Sequence, residues 1–232
     1  MTHGTFPLRA AKNATTAIPI VFASSADVVA LGFVESLARP GGNITGSIFF
    51  TFELAAKRIE LLKDVFPRIT QVAELAELNN AAREMYHRAM ETTARSVKVT
   101  LHEFAVREPH EFDSAFAAMA KKRVGAVVVP DYPIFGANSR AIADLAAKQQ
   151  LPLIGGGDFA EAGGLMSYGV DFNGMWRRAA YFVDKILKGT KPGDIPVEQA
   201  TRFELVINMK TANALGIKVP NSILVQATKV IE

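Results

Sequence analysis

Short apolar runs alternate with amphipathic helical patterns along nearly the whole chain, and that alternation limits the possible folds more than any other feature. Ile18–Ala23, Val72–Leu75, Lys98–His102, Ala126–Val129, Leu151–Ile154 and Leu165–Tyr168 read as strands. Most carry consecutive apolar residues, the pattern of parallel strands covered on both faces. Between them, Phe52–Phe66, Ala82–Arg95, Glu111–Lys122, Ser139–Gln149 and Asn173–Lys188 repeat apolar residues at helical spacing. Alternation of this kind predicts an α/β fold with parallel sheets and helices on both faces.

Turn chemistry places the element ends. Pro67 follows a helix and Pro40-Gly-Gly-Asn43 marks a turn. Gly125 and Gly189 are expected as left-handed helix caps. Residues from Val72 to Tyr168 hold enough βα units for a lobe of their own. Residues before Gly46 hold one or two units and cannot bury a core alone. Two lobes are therefore expected, residues 1–47 with 171–194 forming one and 48–170 with 195–232 the other.

Apolar residues make up 49 % and charged residues 21 % of the 232, which excludes a disordered chain. Net charge is +3 and the basic residues are dispersed, so the electrostatic footprint of a nucleic-acid binder is missing. Cysteine is absent, which excludes disulfides, thiolate-bound zinc and a thiol nucleophile. No apolar run reaches the roughly 20 residues of a membrane-spanning helix. Met1–Thr5 has neither the charged start nor the apolar centre of a signal peptide.

Four segments carry a resemblance: Ile18-Pro-Ile-Val-Phe-Ala-Ser-Ser-Ala-Asp27, Leu37-Ala-Arg-Pro-Gly-Gly-Asn-Ile-Thr-Gly46, Glu161-Ala-Gly-Gly-Leu-Met-Ser-Tyr-Gly169 and Lys188-Gly-Thr-Lys-Pro-Gly-Asp-Ile-Pro-Val-Glu-Gln199. Together they resemble the solute-binding subunits of ABC transporters, in the sugar-type branch that also includes binders of tryptophan, tyrosine and phenylalanine. The likeness runs from Thr2 to Glu232. It implies the type I periplasmic-binding fold, two Rossmann-like lobes with parallel sheets joined by a three-crossing hinge that closes on ligand. The crossings are expected near Ser47–Thr51, Gly169–Asp171 and Asp194–Val197. About two to three βα units precede the counterpart of Thr2 in that family, so the resemblance also implies a first lobe truncated at its N-terminal side. A remnant of that size would expose apolar surface, and a homodimer through the truncated lobe is expected.

In open α/β sheets ligands lie beyond the carboxyl ends of the strands, and the loops there supply the candidate ligand-binding residues. Gly4 and Thr5 match a segment that opens a helix in the family, where free N–H groups suit a carboxylate; a frayed terminus is the other reading. Ser24 and Ser25 end a strand, and Asp27 can cap a following helix. The family's usual Gly-Asp-Pro is replaced at Ala26 and Val28. Asn79 and Asn80 offer donors and acceptors, or merely cap. Asp131 suits an ammonium, and Tyr132 and Phe135 suit stacking, unless Phe135 packs beneath its loop. Gly155-Gly-Gly-Asp-Phe159 invites close backbone approach and contributes Asp158 and Phe159, with Tyr168 on the next strand. A dinucleotide fingerprint at Gly155, Gly157 and Ala160 fails, because the strand at Leu165 leaves no room for the helix that it must open.

The histidines His3, His87, His102 and His110 lack metal-ligand spacing, and neither a nucleophile–base pair nor paired carboxylates can be placed. Trp176 reads as a packing anchor. No catalytic residue, metal or cofactor is expected. The expected function is a non-enzymatic solute-binding component of an ABC importer. It would take an aromatic or branched-chain amino acid in the interlobe cleft and present it to a membrane permease in the periplasm. The alternatives are a truncated, binding-defective relic, or a two-lobed α/β enzyme or regulator, since a fold does not dictate its function.

Overall fold

The chain builds two parallel α/β units, as its alternating pattern demands. The computed structural model describes residues 2–24, 27–49, 51–80 and 83–232, and their side chains except those of His3, Phe6, Thr51 and Phe52. In chain order the elements are β1 (Thr2–His3), α1 (Thr5–Ala14), β2 (Ile20–Ser24), β3 (Ile44–Ile48), α2 (Thr51–Val65), β4 (Gln71–Glu77), α3 (Arg83–Ser96), β5 (Thr100–Val106), α4 (Phe112–Lys122) and β6 (Val127–Val128). They continue with α5 (Pro133–Ala137), α6 (Ser139–Lys148), β7 (Leu153–Gly155), β8 (Met166–Val170), α7 (Phe172–Leu187), β9 (Glu198–Gln199), β10 (Phe203–Asn208), α8 (Met209–Ala214), α9 (Asn221–Leu224) and β11 (Lys229–Ile231). Among the described residues no helix is long and apolar enough to cross a membrane.

The first unit comprises Met1–Thr51 and Val170–Phe203. Its four strands lie in the order β1-β2-β3-β9. β2 is buried along its whole length because both of its faces are covered. Ile20 and Phe22 join Leu8, Val28, Phe33 and Ile44 on one face, whereas Val21 meets Ala179, Phe182 and Ile195 on the other. Gly46 sits where a Cβ would come within 2.1 Å of the Phe22 carbonyl oxygen, so the close β2–β3 approach requires glycine. α7 begins at Asp171, whose Oδ1 accepts a hydrogen bond from Gly174 N at 2.7 Å. It ends before Gly189, whose φ of 98° supplies the expected left-handed turn.

The second unit comprises Phe52–Gly169 and Glu204–Glu232. Its seven strands lie in the order β11-β10-β8-β7-β6-β4-β5, and each pairing with a described register is parallel. Alternate residues of β4 serve different cores. Val72 packs with Ile59, Leu62, Tyr86 and Met90 of α2 and α3. Ala73 and Leu75 pack with Phe112, Phe116, Met119 and Ile142 of α4 and α6.

Several sequence expectations differ from the structure. Residues 195–203, assigned from sequence to the second lobe, lie in the first unit, because β9 pairs with β3 at Ser47↔Glu198 and Ile48↔Gln199. Residues 44–48, given no strand from sequence, form β3. The left-handed residue after α4 is Arg123 at φ 59°, not Gly125. Gly125 instead underlies Ile69, whose Cγ1 would stand 2.9 Å from a Cβ there. Asp27 caps turns and not a helix: its Oδ1 accepts from Val29 N at 3.1 Å and from Ala30 N at 2.9 Å.

Candidate functional site

The carboxyl ends of adjacent strands in the second unit gather most of the candidate residues, and a buried cation ties their loops together. Arg58 lies on α2 with its side chain 0 % exposed. Its Nε donates to the Tyr168 carbonyl at 2.8 Å, its Nη1 to the Val129 carbonyl at 3.1 Å and its Nη2 to Asp131 Oδ2 at 2.6 Å. One guanidinium thus fastens β8 to the segment leaving β6, using the planar fork that lysine lacks. Burial alone would lower the Arg58 pKa; Asp131 and Tyr86 together outweigh it, and the pKa is raised. Sequence reading passed over Arg58. The available signal was a charged residue on the apolar stripe that also holds Leu54, Leu62 and Val65.

The glycines make room for this arrangement. A Cβ on Gly156 would fall 1.6 Å from Asp131 Oδ1 and 2.5 Å from Arg58 Nη2. One on Gly169 would meet Gly157 N at 3.3 Å. Gly156 therefore accommodates an internal ion pair, which supplies the close backbone approach expected of the glycine run.

The individual candidates separate into groups. Asp131 is committed to Arg58, although its side chain keeps 17 % exposure. Phe135 and Phe159 are buried in the core on the α4 face, so both pack instead of stacking on ligand. Tyr132 is half-buried, lies 5.6 Å from Tyr86 ring to ring, and among the described residues its buried hydroxyl has no hydrogen-bond partner. Burial also raises the pKa of Tyr132 and Tyr168, so both stay neutral phenols. Asn79 and Asp158 are exposed, beyond β4 and β7 respectively. Among the described residues neither side chain makes a hydrogen bond. Asn80 Nδ2 donates to Glu77 Oε2 at 3.3 Å, closing the turn locally.

In the first unit, Gly4 adopts φ 85° and precedes α1, with no side chain capping the helix. Thr5 is the first residue of α1. Ser24 is buried at the end of β2. Ser25 lies outside the described residues. A separate cavity of ≈ 440 Å³ opens within this unit and contains none of the sequence-predicted residues.

Glu74, His87 and Glu103 bring ligand-type atoms within 4.8 Å of one another, a convergence invisible in their sequence spacing. Glu74 Oε2 and His87 Nδ1 are 2.5 Å apart. Arg83 forks onto both Glu103 oxygens, at 2.8 and 2.6 Å, and lowers the Glu103 pKa by those hydrogen bonds. With the Glu103 oxygens already taken, the cluster is an ion-pair network between β4, β5 and α3.

Comparison with known proteins identifies this architecture. The chain is similar to the tyrosine-binding protein of Clostridioides difficile, with 25 % identity over 212 residues. That match covers 90 % of this chain, which spans only 60 % of the relative's length. A Streptococcus pneumoniae ABC domain solved in complex with L-Trp superposes with a TM-score of 0.84 and 26 % identity, over 99 % of this chain and 79 % of that one. A conserved domain protein of Vibrio cholerae gives a TM-score of 0.85 and 26 % identity, over 98 % and 76 % of the two chains. The fold is the type I periplasmic-binding fold. Residues 2–231 match the family model of ABC transporter substrate binding proteins, and the chain belongs to that family.

Proposed function

We propose that this chain binds an amino acid, aromatic side chains first, as the solute-binding component of an ABC importer. The observation that carries the reading is the strand-end edge of the second unit. There, exposed Asn79 and Asp158 follow β4 and β7 with side chains that make no hydrogen bond among the described residues. The half-buried Tyr132 follows β6 and the half-buried Tyr168 lies near the end of β8, strands of the same edge. A carboxylate suits a ligand ammonium, an amide can donate to a ligand carboxylate, and tyrosine faces suit an aromatic side chain. Few polar groups amid apolar walls is the ordinary composition of a small-molecule site. The tyrosine-binding relative and the L-Trp complex support the same ligand class. The working location would be the periplasm or the outer cell surface, and the partner a membrane permease.

Calorimetric titration with L-tryptophan tests the reading. Wild-type protein is expected to bind saturably. Asp158→Ala and Asn79→Ala are expected to weaken binding by about fivefold to tenfold each, with unchanged thermal midpoints, because both side chains are exposed. Wild-type protein that takes up neither tryptophan nor tyrosine would contradict it.

The exposed Ile18 (66 %) and Leu187 (81 %) of the first unit support a homodimer as part of this proposal. A dimeric native mass at micromolar concentration is expected; a monomeric mass would remove that part.

A further inference from the structure

The cavity of the first unit presents polar groups that its own walls leave unused. It opens between α7, the end of β3 and residues 198–202. Ser47 is only 5 % exposed and lines the cavity, and among the described residues its hydroxyl makes no hydrogen bond, so it remains open to solvent or to a ligand. The exposed Arg177 and Arg202 also line the cavity, and among the described residues neither guanidinium makes an ion pair or hydrogen bond.

The remaining charges are spent. Arg178 forks onto Glu198 at 2.6 and 2.5 Å, and its Cζ stands 3.9 Å from the Tyr181 ring centroid. Asp171 is engaged in capping α7. Three arginines against Asp171 and Glu198 leave 3 − 2 = +1: Arg178 and Glu198 offset each other, and Arg177 with Arg202 outweighs the Asp171 carboxylate. An open hydroxyl and two unpaired guanidinium forks suit a compact oxyanion.

We propose that this cavity is a binding site for a compact oxyanion, a carboxylate or phosphate, held by Arg177, Arg202 and Ser47. Its residues are distinct from those proposed to bind amino acid, so the two readings stand or fall separately.

Inorganic phosphate and succinate, titrated calorimetrically at constant ionic strength against chloride, are the probes. The expected result is saturable binding of at least one, weakened roughly tenfold in Arg177→Gln and in Arg202→Gln. The probe that binds names the source of the anion. Asn79→Ala is expected to bind the same probe normally. Both arginines are exposed, so an unchanged thermal midpoint in chloride shows that the variants fold. Heats that never saturate, or binding equal in wild type and both variants, would mean general charge screening and would overturn the proposal.

Discussion

Replacing Arg58 by Met is expected to destabilise the second unit by about 3–5 kcal/mol, the usual cost of removing one partner from a buried ion pair. The side chain is 0 % exposed, and its removal strands the Asp131 carboxylate together with the carbonyls of Val129 and Tyr168. Methionine matches the length of the stem but supplies no donor. For a unit of this size the thermal midpoint should fall by roughly 10 °C. Adding Asp131→Asn should restore part of the loss, because a neutral amide is cheaper to leave unpaired than a carboxylate. Since Arg58 fastens the strand ends that carry Tyr132 and Tyr168, ligand affinity should fall as well. A midpoint within a degree or two of wild type would mean that the loops are held by packing alone.

A second large effect concerns pH. Glu74 is 1 % exposed, and burial pushes its pKa from 4.5 up to about 7. The hydrogen bond with His87 opposes that shift, while Glu103, directly across on β5, adds to it. Between pH 4.5 and about 7 the folded protein therefore holds a proton that the unfolded chain releases. More protons bound in the folded state means that stability falls as pH rises. The contribution is complete below pH 4.5 and is lost by about pH 7, a change on the order of 3 kcal/mol. Glu74→Gln cannot titrate, so its stability profile should lack this slope and lie above wild type at pH 8. Chemical denaturation of both proteins across this range reads the effect of Glu74 together with its coupling to Glu103. Parallel profiles would show that Glu74 ionises without penalty.

The strands with runs of apolar residues were readable because burial on both faces removes polar alternation. β3 was not, because Ile44-Thr-Gly-Ser-Ile48 holds only two large apolar residues and gains its burial from β2 and β9 on either side. β9 was missed for the same reason, and residues 195–203 were assigned to the wrong unit with it. Loop aromatics misled in one direction: Phe135 and Phe159 look available for stacking, yet tertiary packing places both in the core. Arg58 misled in the other, since a charge on a helix is read as solvated unless its place on the apolar stripe is counted. Glu74, His87 and Glu103 meet across two strands and a helix, and Ser47, Arg177 and Arg202 meet from distant parts of the chain. Local pattern carries no trace of either convergence, whereas the alternation of elements was enough to put Asn79 and Asp158 beyond the ends of β4 and β7.

The most direct test of the account is thermal unfolding against rising concentrations of L-tryptophan, L-tyrosine, L-leucine and a hexose. Ligand that binds only the folded state adds about 2.7 kcal/mol of stability at a hundred times its dissociation constant. The account predicts a saturable rise in midpoint with the aromatic amino acids and none with the sugar. A flat midpoint with all four, or a rise with the sugar alone, would contradict it.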